Sequence, residues 1–268
     1  MNYGEVLEKL VAWATEVDAV RAVIVTGSAA DGDVHPLSDR DIELYASDPD
    51  DLADEDSWWA SLGEVLVVER LEDEDSGYQT RLIYYAGGKL DFTLIPAEDL
   101  AEMEHDRPFQ VLVDKDGQAP DPDAVGTPDG ELPAEEEFEE SVHWGYAAAL
   151  MCAKAVVREE LWSAKLRDQD LKEELLRIIE WDHRVRYGTG HDTRYLGTRM
   201  NSWMDAEVRV EVEGCWAHFD ADDTVNALRR TVDLFARLSA RTGTALGFEP
   251  FRHERLRREI EQILSLRA

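Results

Sequence analysis

The sequence predicts an α+β chain in two parts, a mixed α/β domain over residues 1–132 followed by a helical-bundle domain over residues 133–268. Three observations carry that expectation. Between residues 20 and 95, short apolar runs rich in β-branched residues alternate with turn signals. Residues 117–134 hold four prolines and almost no apolar periodicity, the texture of a linker. Beyond residue 135 the apolar positions recur at helical spacing.

Val6, Leu7, Leu10, Val11, Ala14 and Val17 fall on one face of a helix over residues 5–17. Residues 22–25 are a short apolar run ending at Gly27, residues 41–45 alternate, and residues 65–68 are apolar and β-branched, so each is read as a strand. Residues 81–85 and 90–95 flank Gly87 and Gly88 and read as a hairpin, since glycine supplies the positive φ of a tight turn. The acidic run 48–56 leads into Trp58, Trp59 and Leu62 as a helix with a charged first turn, and Pro96 opens another with Glu98 and Asp99 set against its dipole. In the second part, helices are expected over residues 135–162, 171–187, 221–242 and 252–266, with no internal repeat.

Composition narrows the function before any motif is considered. The net charge of −31 repels the phosphate backbone, so no nucleic-acid partner is expected. The acidic excess is a solvated surface first, and an attraction for a cationic small molecule second. Cys152 and Cys215 stand in apolar or aromatic surroundings with no CxxC pattern, which suits free thiols in a reducing compartment. The start of the chain has neither a basic nor an apolar leader, and no segment approaches a membrane span, so a cytoplasmic protein with no membrane partner is expected. The sequence does not specify an oligomeric state. The seven histidines form no HxxxH or HxH pair, so no zinc site is expected. Walker, Rossmann and Gly-x-Ser-x-Gly patterns are absent as well.

One constellation carries chemistry. The strand ending at Val25 runs into Thr26-Gly27-Ser28, and a loop then leads to Asp39-Arg40-Asp41. Because side chains of a strand alternate faces, Asp39 and Asp41 project together while Arg40 points away. Paired carboxylates without His or Cys suit a hard ion such as Mg²⁺, whose shell is usually completed by phosphates. Gly27 permits close backbone approach, and a following turn would aim free N–H groups at an anion, which together point to a nucleoside triphosphate. Asp91 lies between apolar positions of its strand; beside Asp39 and Asp41 it would make a three-acid site that needs cations, and two metal ions meet that need.

Gly27-Ser28, Asp39-x-Asp41 and Asp91 together resemble the nucleotidyltransferase signature of the DNA polymerase beta superfamily. The segments LDFTLIPAEDL (90–100), VLVDKDG (111–117), PAEEEFEESVHWGYAAALMCAKAVVREELWSAK (133–165) and ALGFEPF (245–251) are similar, in that order, to the aminoglycoside 6-adenylyltransferases, the streptomycin-modifying enzymes. The likeness runs with gaps from around residue 20 to residue 251. It departs at Ala29, where many relatives carry arginine after Gly-Ser.

The resemblance implies a mixed-sheet nucleotidyltransferase domain and Mg²⁺-dependent transfer of AMP from ATP to a hydroxyl of an aminoglycoside, streptomycin at its 6 position, with release of pyrophosphate. It implies that Asp39 and Asp41 bridge two Mg²⁺ ions and the phosphates, that Gly27 and Ser28 hold the triphosphate end, and that Asp91 binds the second ion near the attacking hydroxyl. Lys154, in an otherwise apolar stretch, would contact phosphate; its plainer reading is an amine snorkelling at the edge of the core. Lys115 is read as part of a charged turn. The helical domain would supply the acceptor pocket, with Trp144, Tyr146, Glu180, Trp181 and Asp182 as candidates and the ternary site in the cleft between domains, although aromatic stripes at helical spacing are commonly core. Glu180 and Asp182 cannot face the same way on one helix. Two alternatives stand beside this reading: AMP transfer to a different acceptor, and a nucleotide-binding module without turnover.

Overall fold

The computed structural model describes residues 1–27, 35, 37–55, 57–73, 76–105, 107–122 and 130–267; Ser28 and Ala29 lie outside the described residues. The chain divides into two compact units, Met1–Thr127 and Pro128–Ala268.

The first unit opens with α1 (Tyr3–Glu16), whose N-cap Asn2 accepts from the Gly4 N–H and whose Val6, Leu10 and Ala14 are buried. Six strands follow: β1 (Val20–Thr26), β2 (Arg40–Ala46), β3 (Val65–Glu72), β4 (Gln79–Tyr85), β5 (Gly88–Pro96) and β6 (Gln110–Asp114). They form one mixed sheet in the order β3-β4-β5-β2-β1-β6. All neighbours are antiparallel except β2 and β5, which run parallel. A parallel pair needs a long crossover, and here the crossover carries α2 (Pro49–Asp54), a 3₁₀ turn at Trp59–Leu62 and the β3–β4 pair.

Alternation assigns the two faces of this sheet. Val23, Val25, Ile42, Leu44, Leu90, Phe92 and Leu94 pack under α1 and α2 with Trp58 and Trp59. Trp58 stacks on Trp13 at 5.0 Å and meets Phe92 edge-on at 4.9 Å. Ala22, Ile24, Tyr45 and Ile95 face the other way and join Leu100 and Phe109 in a smaller cluster. Asp41 and Asp91 belong to this second face.

Several expectations are refined. The helix expected over the acidic run and the tryptophans is α2, capped by Asp48, followed by a separate 3₁₀ turn; the helix at Pro96 is one 3₁₀ turn, Ala97–Ala101. The hairpin closes through Ala86 and Gly87, with Gly87 at φ +85°.

The second unit is helical: α3 (Glu135–Val157), α4 (Leu161–Tyr187), α5 (Met200–Trp203), α6 (Ala206–Glu213), α7 (Ala221–Leu246) and α8 (His253–Leu264). The single helix expected over 135–162 breaks at residues 158–160, and α4 begins at Leu161 rather than at residue 171. The break uses no glycine or proline. Glu159 takes a left-handed φ of 60°, and the Glu160 N–H closes the turn onto the Ala155 carbonyl at 2.9 Å. Gly145, inside α3, is needed for packing: a Cβ there would lie 2.4 Å from Cζ of Phe235 on α7. Cys152 and Cys215 are free and buried, and burial pushes the Cys152 thiol up to about 12, which leaves it inert as a nucleophile. Among the described residues, no helix is long and apolar enough to cross a membrane.

Candidate active site

The parallel pairing of β2 with β5 places Asp41 directly opposite Asp91. Parallel neighbours lie about 4.8 Å apart, so both carboxylates rise from one patch of the second face. Asp39 immediately precedes β2, two residues from Asp41, and Arg40 between them turns away to lie 4.0 Å over the Tyr3 ring. Its Nη1 donates to the carbonyls of Ser38 and Asp39, so the arginine makes no side-chain bond to the acids and acts on Asp41 through its charge alone.

Gly27 ends β1 at φ +69°, and a Cβ there would lie 2.1 Å from Oδ2 of Asp41. No other residue type fits that approach without displacing the carboxylate.

Sequence reasoning missed the next member of the site. Lys89 sits on β5 two residues before Asp91, so the two share a face. Its Nζ donates to Asp91 Oδ2 at 2.7 Å and to Asp39 Oδ2 at 3.3 Å. The signal was the i, i+2 spacing of Lys89 and Asp91; lysine beside a hairpin turn reads by default as solvated charge.

The electrostatics are strained. Burial, then the charges of Asp91 and Asp39, push the Asp41 carboxyl above its usual range against the pull of Lys89 and Arg40. Burial also raises Asp91, against the opposing hydrogen bond from Lys89. For Lys89, burial works against the charge, but its bonds and attraction to Asp91 and Asp39 outweigh it and hold the ammonium.

These residues fit a hard divalent cation. The donors are all carboxylate oxygens, Oδ1 of Asp91 is buried with no hydrogen-bond partner, and negative charge is in excess. Among the described residues, no three acidic, His or Cys side chains already converge on a metal position; at this patch the Lys89 ammonium stands between two of the acids.

The remaining candidates are scattered. Lys154 is exposed in the last turn of α3. Lys115 donates from Nζ to the Val17 carbonyl at 2.7 Å, tying β6 to the end of α1. Trp144 is 63% exposed, with Nε1 donating to Glu140 at 3.4 Å. Tyr146, Trp181 and Asp182 are buried among side chains of the second unit. Tyr146 is hydrogen-bonded to His253 Nδ1 at 2.9 Å and stacked on Phe251, and Trp181 packs on Phe138. Asp182, 1% exposed, accepts from Arg241 Nε and Nη2 at 2.6 Å each and from Arg186 Nε at 3.0 Å. A groove of ≈ 460 Å³ lies between α3 and α8, and grooves of ≈ 610 and ≈ 630 Å³ run along α7 and α8; none of the five candidates lines them.

Glu180 is half-buried on α4, and burial pushes its carboxyl up to about 7, against Arg184 and Arg177, which pull it down. The folded chain thus binds a proton that the unfolded chain releases near 4.5, and stability contributed by this group falls as pH rises from 4.5 to about 7. Glu180→Gln should remove that loss and stabilise the protein above neutral pH by on the order of 1 kcal/mol after solvent screening. Thermal melts of both proteins on either side of pH 7 check it; parallel pH profiles would refute it.

Comparison with known proteins identifies the family. The family model described as streptomycin adenylyltransferase matches residues 1–262. The aminoglycoside 6-adenylyltransferase of Staphylococcus aureus is 28% identical over 194 residues, 66% of this chain and 68% of that one. The Campylobacter jejuni protein of the same name is 26% identical over 196 residues, 69% and 68% of the two chains. A crystal structure of an aminoglycoside 6-adenyltransferase from Bacillus subtilis is 18% identical, covering 98% of each chain, with a TM-score of 0.49. With a family match over residues 1–262 and relatives of that name over two thirds of the chain, the protein belongs to the streptomycin adenylyltransferase family and is a nucleotidyltransferase.

Proposed function

We propose that this enzyme transfers AMP from ATP to a hydroxyl of an aminoglycoside, with streptomycin at its 6 position as the first candidate acceptor, and releases pyrophosphate. The observation that carries the reading is the register of Asp41 against Asp91 on parallel strands, with Gly27 closing on Asp41. Asp39, Asp41 and Asp91 would hold Mg²⁺, two ions in the fullest form of the reading. Bound there, the ions would neutralise the triphosphate and polarise the reacting phosphorus.

The chain's own groups divide the remaining work. Gly27 lets the Asp41 carboxylate close against the end of β1, and on the strength of the resemblance Gly27 and Ser28, which follows it in sequence, are proposed as triphosphate contacts. Asp91, which keeps one buried oxygen without a hydrogen bond, is proposed to stand near the attacking hydroxyl and take its proton on the strength of the resemblance. Lys154 is proposed as a phosphate contact on the strength of the resemblance. Exposed Trp144 and half-buried Glu180 are proposed as acceptor contacts, an aromatic face and a carboxyl group for a cationic sugar. A cytoplasmic site of action accompanies the reading, since ATP is the co-substrate and both thiols are free.

Mass spectrometry of streptomycin after incubation with ATP, Mg²⁺ and the protein tests it. A gain of one adenylate is expected. Unmodified streptomycin, with pyrophosphate released only when a different acceptor is supplied, would overturn the acceptor assignment; no acceptor-dependent pyrophosphate from any aminoglycoside would overturn the activity.

A further inference from the structure

We propose that Lys89 is an exchangeable counter-ion built into the acidic site, bridging Asp39 and Asp91 until a divalent cation takes those carboxylates and then withdrawing toward Tyr84. The inference rests on the reading of Asp39, Asp41 and Asp91 as metal ligands.

Asp41 and Asp91 stand side by side on the second face of the sheet with Asp39 just before β2, and Lys89 is ion-paired to Asp39 and Asp91. Its ammonium is 2.7 Å from Asp91 and 3.3 Å from Asp39, on a side chain only 16% exposed. The nearest arginine in sequence, Arg40, lies over the Tyr3 ring and donates to the Ser38 and Asp39 carbonyls, reaching the acids only through its charge on Asp41. Without Lys89 the carboxylates would repel one another in a half-buried setting, at a cost that grows as water is excluded. With Lys89 bound, Asp91 Oδ2 is already taken as a ligand oxygen. The lysine therefore does two opposed things: it keeps the acids together, and it competes for them.

The ammonium also has somewhere to go. Nζ lies 5.2 Å from the centre of the Tyr84 ring, directly across the β4–β5 pair from Lys89, and Tyr84 is hydrogen-bonded to Glu69. An aromatic face with a carboxylate beside it is a second resting place for a cation. The move needs only rotation about the flexible lysine stem, because the backbone is pinned: the Lys89 N–H donates to the Tyr3 hydroxyl at 3.0 Å.

Mn²⁺ binding followed by electron paramagnetic resonance, with and without a non-hydrolysable ATP analogue, tests the exchange in the wild-type protein and in Lys89→Met, Lys89→Arg and Asp91→Asn. Lys89→Met should bind Mn²⁺ about tenfold more tightly than wild type, because the competitor is gone and negative charge is unopposed, whereas Lys89→Arg should stay within about threefold. In thermal melts, Lys89→Met should start below wild type and gain more from added Mn²⁺. Lys89→Gln replaces the methionine variant if that fails to fold. Equal or weaker Mn²⁺ binding by the uncharged variants, with binding in the wild type and its loss in Asp91→Asn, overturns the counter-ion role alone. Absence of Mn²⁺ binding in the wild type, or its persistence in Asp91→Asn, overturns the metal-site reading on which the role rests.

Discussion

Asp41→Asn is expected to lower AMP transfer by more than about a thousandfold while the melting temperature at neutral pH stays level or rises. Burial and the neighbouring Asp91 and Asp39 already disfavour the Asp41 charge, so a neutral amide of the same shape relieves the fold while removing a donor oxygen. Asp91→Asn should lose activity equally but behave differently in the melt, because it deprives the half-buried Lys89 ammonium of its 2.7 Å partner. Pyrophosphate release with an aminoglycoside acceptor and calorimetry on the same preparations give both readouts. Near-normal turnover in either variant would remove the three-acid mechanism.

Asp182→Ala is expected to cost about 3 kcal/mol of stability and to lower the melting temperature by on the order of 10 °C, with little change in acceptor KM for the protein that remains folded. The carboxylate is held from two directions. Arg241 grips it with two bonds of 2.6 Å, and Arg186 reaches it through Nε and Nη2 while its Nη1 pairs with Asp205 at 2.6 Å. Truncation leaves two guanidinium groups facing a buried gap. A raised acceptor KM with an unchanged melt would return Asp182 to the binding site and refute the structural role.

The period-two pattern made the acidic face legible from sequence. Asp39, Asp41 and Asp91 could be grouped because alternation and acid–apolar contrast are local signals. That β2 and β5 run parallel and adjacent is a long-range property, set by a crossover no periodicity encodes. Lys89 was hidden for the same reason, since its value depends on Asp39, which lies far away in sequence and close in space. The break between α3 and α4 escaped because Glu159 adopts a left-handed backbone that side-chain chemistry does not announce. Tyr146 and Trp181 looked like pocket aromatics, but a polar atom on an aromatic ring is equally well used inside a core, and there Tyr146 finds His253.

The hydroxyl of Tyr3 acts as a ruler for chemistry it never touches. A sheet tolerates a slip of two residues with its apolar layer intact, because Leu90, Phe92 and Leu94 are interchangeable greasy rungs, yet such a slip would bring lysine or threonine alongside Asp41 in place of Asp91. By fastening the Lys89 amide, the first turn of α1 fixes where that ladder starts. Alignment of the acids is thereby governed from the opposite side of the sheet, so perturbing the packing of α1 is a remote way to detune the enzyme.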